Sequence, residues 1–287
     1  MHERWQVERG VDAAVISDLP PAAGLSSSSA LLTGFVLALL RANEISATFE
    51  ELMDVLPEGE HFVGTRGGGM DHAAVLASRP RCALLVSFTP LTVEPVPIPD
   101  DWAFLVAHSL TTAEKSNELR AEYNARRTAG ARALQQLGFA SYAAAVETHP
   151  ADELKNLARQ LPEQERQSFL HVTSEGVRVR SAVAALRAAD SSAFGALLNA
   201  SHASLRDLLR VSSSALDALA GAALDSGAIG ARLTGAGFGG CAVIFCKRPD
   251  RDRIAAELVK RYYSERAGFD PSMHLIAAEP SAGALCG

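Results

Sequence analysis

The sequence predicts an α+β protein in two parts, on three observations. Up to about residue 110, short apolar runs alternate with proline and glycine punctuation around two or three helical stretches. From Thr112 onward, long segments rich in Ala, Leu, Arg and Glu follow one another with few breakers, as helix propensity favours. Near the end come a strand, a glycine-rich loop, a second strand, a helix and a last strand, the order of a split βαβ or ferredoxin-like layer. The expected domains are 1–110 and 111–287, with no flexible linker between them.

Val11 to Asp18 reads as a short strand, after which Pro20 and Pro21 force an extended turn. Ser28 to Ala42 is apolar nearly all round, the pattern of a buried helix. Ala47 to Leu56 is a second helix with Ser46 or Thr48 as its cap. A glycine-rich turn then leads into Met70-Asp71-His72 and a short helix through Ala77. Cys82 to Phe88, Leu91 to Pro95 and Trp102 to His108 are strand-like runs between prolines. Helices are expected over 113–137, 139–148, 165–189, 192–201 and 213–226, followed by Ala231 to Thr234, the loop Gly235 to Gly240, and the apolar strand Cys241 to Cys246. A helix from Arg251 to Tyr262 and a strand from Met273 to Ala277 complete the order.

The 287 residues, 48% hydrophobic and 21% charged, are enough to bury a real core. A formal net charge of −6 argues against nucleic acid as a partner. Cys82, Cys241, Cys246 and Cys286 form no C-x-x-C pair, and two sit in apolar runs, so inert thiols in a reducing cytosol are expected. The N-terminus opens with charge and lacks a long apolar core, so a signal peptide is not expected there. The longest apolar run, Phe35 to Leu40, is far short of a membrane span, and the protein is expected to be cytoplasmic.

Four segments carry candidate chemistry. Ala22-Ala23-Gly24-Leu25-Ser26-Ser27-Ser28-Ser29 feeds a helix, whose first N–H groups and dipole attract phosphate. One serine suffices for a cap, so four suggest hydroxyls that touch something else; a capped core helix is the plain alternative. The segment has no lysine and is not a Walker loop, so a metal ion would take the remaining phosphate charge. Mg²⁺ typically takes one or two protein oxygens, for which Ser28 and Glu60 are candidates, although Glu60 in Glu58-Gly59-Glu60 taken alone reads better as a solvated acid. Asp71 follows three glycines at a helix start, as a cap or as a carboxylate that takes an acceptor hydroxyl's proton. Four glycines among Gly235 to Gly240 exceed what a hairpin needs and point to backbone pressed on another loop or a ligand. Tyr123-Asn124-Ala125-Arg126-Arg127 lies on a helix, where paired arginines are usually solvated and Tyr123 fits a core.

Taken together, Pro21-x-x-Gly24-Leu25-Ser26-Ser27-Ser28, Gly67-Gly68-Gly69-Met70-Asp71, Lys115-Ser116-Asn117 with Tyr123 to Arg127, and Leu233 to Cys241 stand in the order they take in one family. The chain resembles the galactokinases, the sugar-kinase branch of the GHMP kinase superfamily, from about Gly10 to Gly283. The resemblance implies a ribosomal-protein-S5-domain-2-like N-domain and a ferredoxin-like C-domain with the site in the cleft between them. It implies ATP phosphates on Ala22, Ala23, Gly24, Leu25, Ser26, Ser27 and Ser28, Mg²⁺ on Ser28 and Glu60, and Asp71 as the catalytic aspartate at the sugar's anomeric hydroxyl. Tyr123 matches a sugar-contacting tyrosine, and Thr234, Gly235, Gly237 and Gly239 belong to the motif beside the phosphates.

The implied reaction is ATP with galactose giving ADP and galactose 1-phosphate. N-acetylgalactosamine is the alternative acceptor, and a non-catalytic sugar- or nucleotide-sensing relative is the alternative class. His72 stands where the family usually has glutamine. The sequence has no counterpart of the family's early Gly-Arg-Val-Asn-Leu-Ile-Gly-Glu-His-Thr-Asp-Tyr segment, which binds the sugar and assists transfer. The N-domain is therefore expected to lack its first strands, and the residues as given to bind nucleotide weakly and phosphorylate sugar very slowly. A monomer is implied by the family, while sheet exposed by lost strands would favour pairing between chains.

Overall fold

The computed structural model describes residues 2–20, 23–61, 68–111 and 117–286. Contacts divide the chain into two compact units, 1–98 with 279–287 and 99–278. The sequence boundary near 110 therefore differs from the contact boundary by one strand, Trp102–His108, which belongs to the second unit.

In the first unit, α1 (His2–Trp5), α2 (Ser27–Ala42), α3 (Phe49–His61) and α4 (Met70–Ala77) precede a hairpin of β1 (Cys82–Phe88) and β2 (Leu91–Pro97). The hairpin is antiparallel, pairing Cys82 with Pro97 through to Phe88 with Leu91. Helix α3 begins in a capping box: Glu51 N–H donates to Thr48 Oγ1 (3.2 Å), and Thr48 N–H to Glu51 Oε2 (2.8 Å). Val36, Leu40, Leu52, Met53, Leu56, Ala73 and Leu76 from the three longer helices form the core. The C-terminal residues return here, with Gly283, Ala284 and Leu285 N–H donating to the carbonyls of Ser78, Val75 and Leu76.

Val11 to Asp18, expected as a strand, forms none. A strand needs a ladder partner, and among the described residues this segment has none. Ile16 is 99% exposed.

The second unit starts with β3 (Trp102–His108) and continues through α5 (Asn117–Leu137), α6 (Tyr142–Thr148), α7 (Ala151–Ala158), α8 (Glu163–Arg187), α9 (Ser191–Ser204) and α10 (Ser214–Asp225). It closes with β4 (Gly230–Leu233), β5 (Cys241–Lys247), α11 (Arg251–Leu258), α12 (Pro271–His274) and β6 (Leu275–Ala278). The sheet order is β4-β5-β3-β6, all antiparallel. Numbered within the unit this is second, third, first, fourth, the ferredoxin-like arrangement expected from the sequence. Leu105, Ile244, Leu219, Ala223, Ile254, Leu258 and Tyr262 are buried together in one cluster of its core. Trp102, Phe245 and Phe194 form an aromatic cluster with ring centroids 4.6–5.1 Å apart. Helix α9 meets β4 so closely that a Cβ on Gly195 would lie 2.5 Å from the Ile229 carbonyl oxygen. Among the described residues no helix is long and apolar enough to cross a membrane.

Candidate active site

The serine segment enters α2 through two left-handed residues, Gly24 (φ 72°) and the N-cap Ser26 (φ 57°). Ser26 makes no side-chain cap. By contrast, α6, α9 and α10 are capped by Ser141, Asp190 and Ser213, whose side chains accept from Ala144, Ala193 and Leu216 N–H. The first turn of α2 thus keeps backbone donors that no N-cap side chain takes, as an anion site requires. Ala23 is buried, Gly24, Leu25, Ser26 and Ser27 are half-buried, and Ser28 is exposed. Ala22 lies outside the described residues, as do Pro21, Gly67, Lys115 and Ser116.

The structure brings Glu60 to Ser29, the neighbour of the predicted Ser28. Ser29 is 1% exposed and its hydroxyl donates to Glu60 Oε1 over 2.5 Å. The helical period carried this signal: Ser29, Thr33, Val36 and Leu40 share the buried face of α2, and Ser28 falls off it. Glu60 is therefore a held carboxylate, not the solvated acid of the plain alternative.

Helix α4 starts at Gly69, which takes φ 83° and caps nothing with a side chain. Glycine is needed there, since a Cβ would lie 3.1 Å from both Met53 and Pro57 of α3. The cap position is thus Gly69, and Asp71 stands in the first turn, half-buried, on the helix packed against the one that carries Glu60.

Next to it, His72 is 1% exposed, with Nε2 3.6 Å from Glu60 Oε1. Among the described residues neither ring nitrogen has a hydrogen-bond partner. Burial lowers its pKa below the ordinary histidine value, while the Glu60 and Asp71 carboxylates act in the opposite sense.

In the second unit the glycine loop joins β4 to β5. Gly235, Gly237, Phe238, Gly239 and Gly240 all have positive φ, which accounts for the glycine excess. Thr234 N–H donates to Cys241 O (2.9 Å), Gly240 N–H to Thr111 O (2.8 Å) and Phe238 N–H to Val211 O (2.6 Å). A Cβ on Gly237 would collide with that same Val211 carbonyl. Behind β4, Leu233 N–H donates to His202 Nδ1 (3.2 Å), and His202 Nε2 lies 3.2 Å from Asp217. Ser201 Oγ donates to Glu175 (2.5 Å) and accepts from Arg232 Nε (2.7 Å). Tyr123 is half-buried on α5. One turn on, Arg126 is not solvated as sequence reasoning expects: it donates to the carbonyls of Leu209 and Arg210.

Comparison with known proteins decides the family. Residues 1–79 match the GHMP kinases N terminal domain, and residues 182–265 the GHMP kinases C terminal model. A galactokinase of Roseiflexus sp. is 36% identical over 281 residues, covering 96% of this chain and 70% of its own length. The chain belongs to the galactokinases. A second relative, from Mycobacterium bovis, is 34% identical over 275 residues, covering 95% of this chain and 74% of its own. The crystal structure of Lactococcus lactis galactokinase complexed with galactose superposes with a TM-score of 0.78 at 28% identity, over 92% of this chain and 68% of that one. The protein is thus a galactokinase-type sugar kinase, a phosphotransferase with the two-domain α+β GHMP kinase fold.

Proposed function

We propose that the protein transfers the γ-phosphoryl group of ATP to the C1 hydroxyl of galactose, giving ADP and galactose 1-phosphate. The observation that carries this reading is the grouping on α2, α3 and α4: an N-terminus without a side-chain cap, a Glu60 carboxylate held by Ser29, and Asp71 beside His72. The two contact units are read as the family's N- and C-terminal domains.

Phosphates are assigned to the 22–28 segment, where backbone N–H groups oppose their charge, and to the loop with Thr234, Gly235, Gly237 and Gly239. Asp71 orients the C1 hydroxyl and takes its proton as the O–P bond forms and the bond to ADP breaks. Tyr123 contacts the sugar. Among the described residues no cluster of three His, Cys, Asp or Glu side chains can hold a metal. The carboxylate of Glu60 and the Ser28 hydroxyl are hard oxygen donors of the kind Mg²⁺ takes, one or two at a time beside nucleotide phosphates, and would be its protein oxygens. Held there, Mg²⁺ would supply positive charge beside the phosphates. The setting implied by the family is a cytoplasmic monomer.

The test is transfer from γ-labelled MgATP to galactose, glucose and N-acetylgalactosamine, with labelled sugar resolved chromatographically. Label in galactose above the other two supports the assignment. Preference for N-acetylgalactosamine would reassign the substrate, and nucleotide binding without labelled sugar would make the protein a sensor.

A further inference from the structure

The guanidinium of Arg126 reaches three segments around the glycine loop. Its Nε donates to Leu209 O (2.5 Å) and its Nη2 to Arg210 O (3.0 Å), partners 83 and 84 residues away in sequence. Nη1 donates to Glu122 O (3.0 Å) and Glu122 Oε2 (3.3 Å) on its own helix. The guanidinium also lies 5.3 Å from the ring centroid of Phe238, in the glycine loop.

The segment that receives these bonds is unusual. Helix α9 runs into a π-helical turn, Leu205–Leu209, which ends at Arg210 with φ 54°. A helix end leaves carbonyls without intrahelical donors, and a planar fork with several N–H groups can serve two at once. The next residue, Val211, is 2% exposed and accepts from Phe238 N–H. Gly237 has no room for a Cβ against the same carbonyl. Arg126 therefore touches both sides of this seam, the 209–210 carbonyls below and the Phe238 ring above.

We propose that Arg126 is a positioning residue that couples sugar and nucleotide binding: it ties the helix carrying Tyr123 to the glycine loop through Leu209, Arg210 and Phe238. This rests on the reading of Tyr123 as a sugar contact and of the glycine loop as a nucleotide contact. Tyr123 stands one helical turn before Arg126, so a sugar that orders this part of α5 also orders the fork. The fork then holds the loop that the nucleotide meets. Linkage requires the converse by the same factor.

The experiment is a thermodynamic cycle by calorimetry on the full chain. It measures the dissociation constant of a non-hydrolysable MgATP analogue with and without galactose, and of galactose with and without the analogue. Variants are Arg126→Lys, which keeps the charge but not the fork, and Arg126→Gln. The wild type is expected to show coupling of about fivefold or more, and both variants a factor within about twofold of one. Hydrogen exchange at the Phe238 amide is expected to quicken at least about tenfold in both, because the bond to Val211 O loses its support.

A role confined to capping α9 predicts lower stability in the variants with the coupling intact, and that result would overturn the proposal. Wild-type binding of both ligands without coupling would overturn it as well. Failure of the wild type to bind either ligand would sink the functional reading and this inference together. Because the wild-type arms are read first, the two failures are told apart.

Discussion

The Ser29 hydroxyl sits 2.5 Å from Glu60 Oε1 and fixes that carboxylate against the first turn of α2. Ser29 is buried, and its main-chain carbonyl accepts from Thr33 Oγ1 (2.7 Å). A hydrogen bond to a charged group contributes about 1.5–3 kcal/mol. Ser29→Ala is expected to lower unfolding free energy by about that amount, read by urea denaturation, and to weaken MgATP binding. Ser28→Ala is expected to leave stability unchanged while raising the Mg²⁺ concentration needed for half-maximal activity. Equal stability loss in both would show that the exposed serine shares the structural role.

Gly237→Ala tests the close approach of the glycine loop. The position combines φ 83° with a collision against the Val211 carbonyl. Left-handed backbone alone costs a non-glycine residue about 1–2 kcal/mol, and relief of the clash must shift the loop. Nucleotide affinity is expected to fall about tenfold or more, which is about 1.4 kcal/mol, with galactose affinity less affected. Unchanged nucleotide affinity would remove the loop from the phosphate site.

Protonation behind β4 gives a pH dependence of stability. Burial pushes the His171 pKa down from 6.5 to about 4, with Arg178 and Arg232 acting the same way and Glu175 opposing. The folded value lies below the unfolded one, so the unfolded chain binds the proton first as pH falls. Stability from neutral His171 is therefore present above pH 6.5 and is lost progressively towards pH 4. His171→Asn is expected to flatten the urea midpoint against pH from about 7.5, one unit above the ordinary histidine value, down to about 5, within the window where the unfolded chain takes the proton first. An unchanged slope would show that His171 does not carry the dependence. The ring's bond to Ser204 Oγ (2.9 Å) makes Asn a closer mimic than Ala.

Much of this was legible in the sequence where the signal is local. Glycines at 235, 237, 239 and 240 are demanded by backbone angles, and Asp71 announces itself after Gly69 at a helix start. Strands β1, β3 and β5 read directly from apolar runs between prolines and glycines. What sequence reasoning missed depends on partners distant in the chain. It placed β3 with β1 and β2, whereas β3 pairs with β5 and β6. It left Arg126 to solvent because Leu209 and Arg210 are more than 80 residues away. It did not anticipate the bond between Ser29 and Glu60, although the burial period of α2 turns Ser29 inward. Val11 to Asp18 carries strand-like residues, but propensity forms no strand without a ladder.

The most direct test of the whole account is a single-turnover measurement of galactose 1-phosphate from γ-labelled MgATP, comparing wild type with Asp71→Asn. The substitution keeps the size of a half-buried side chain and removes its capacity to take a proton. The account predicts labelled galactose 1-phosphate from wild type and a rate lower by about 10²–10⁴ in the variant, with the thermal midpoint and MgATP affinity retained. Equal rates in the two proteins would contradict it.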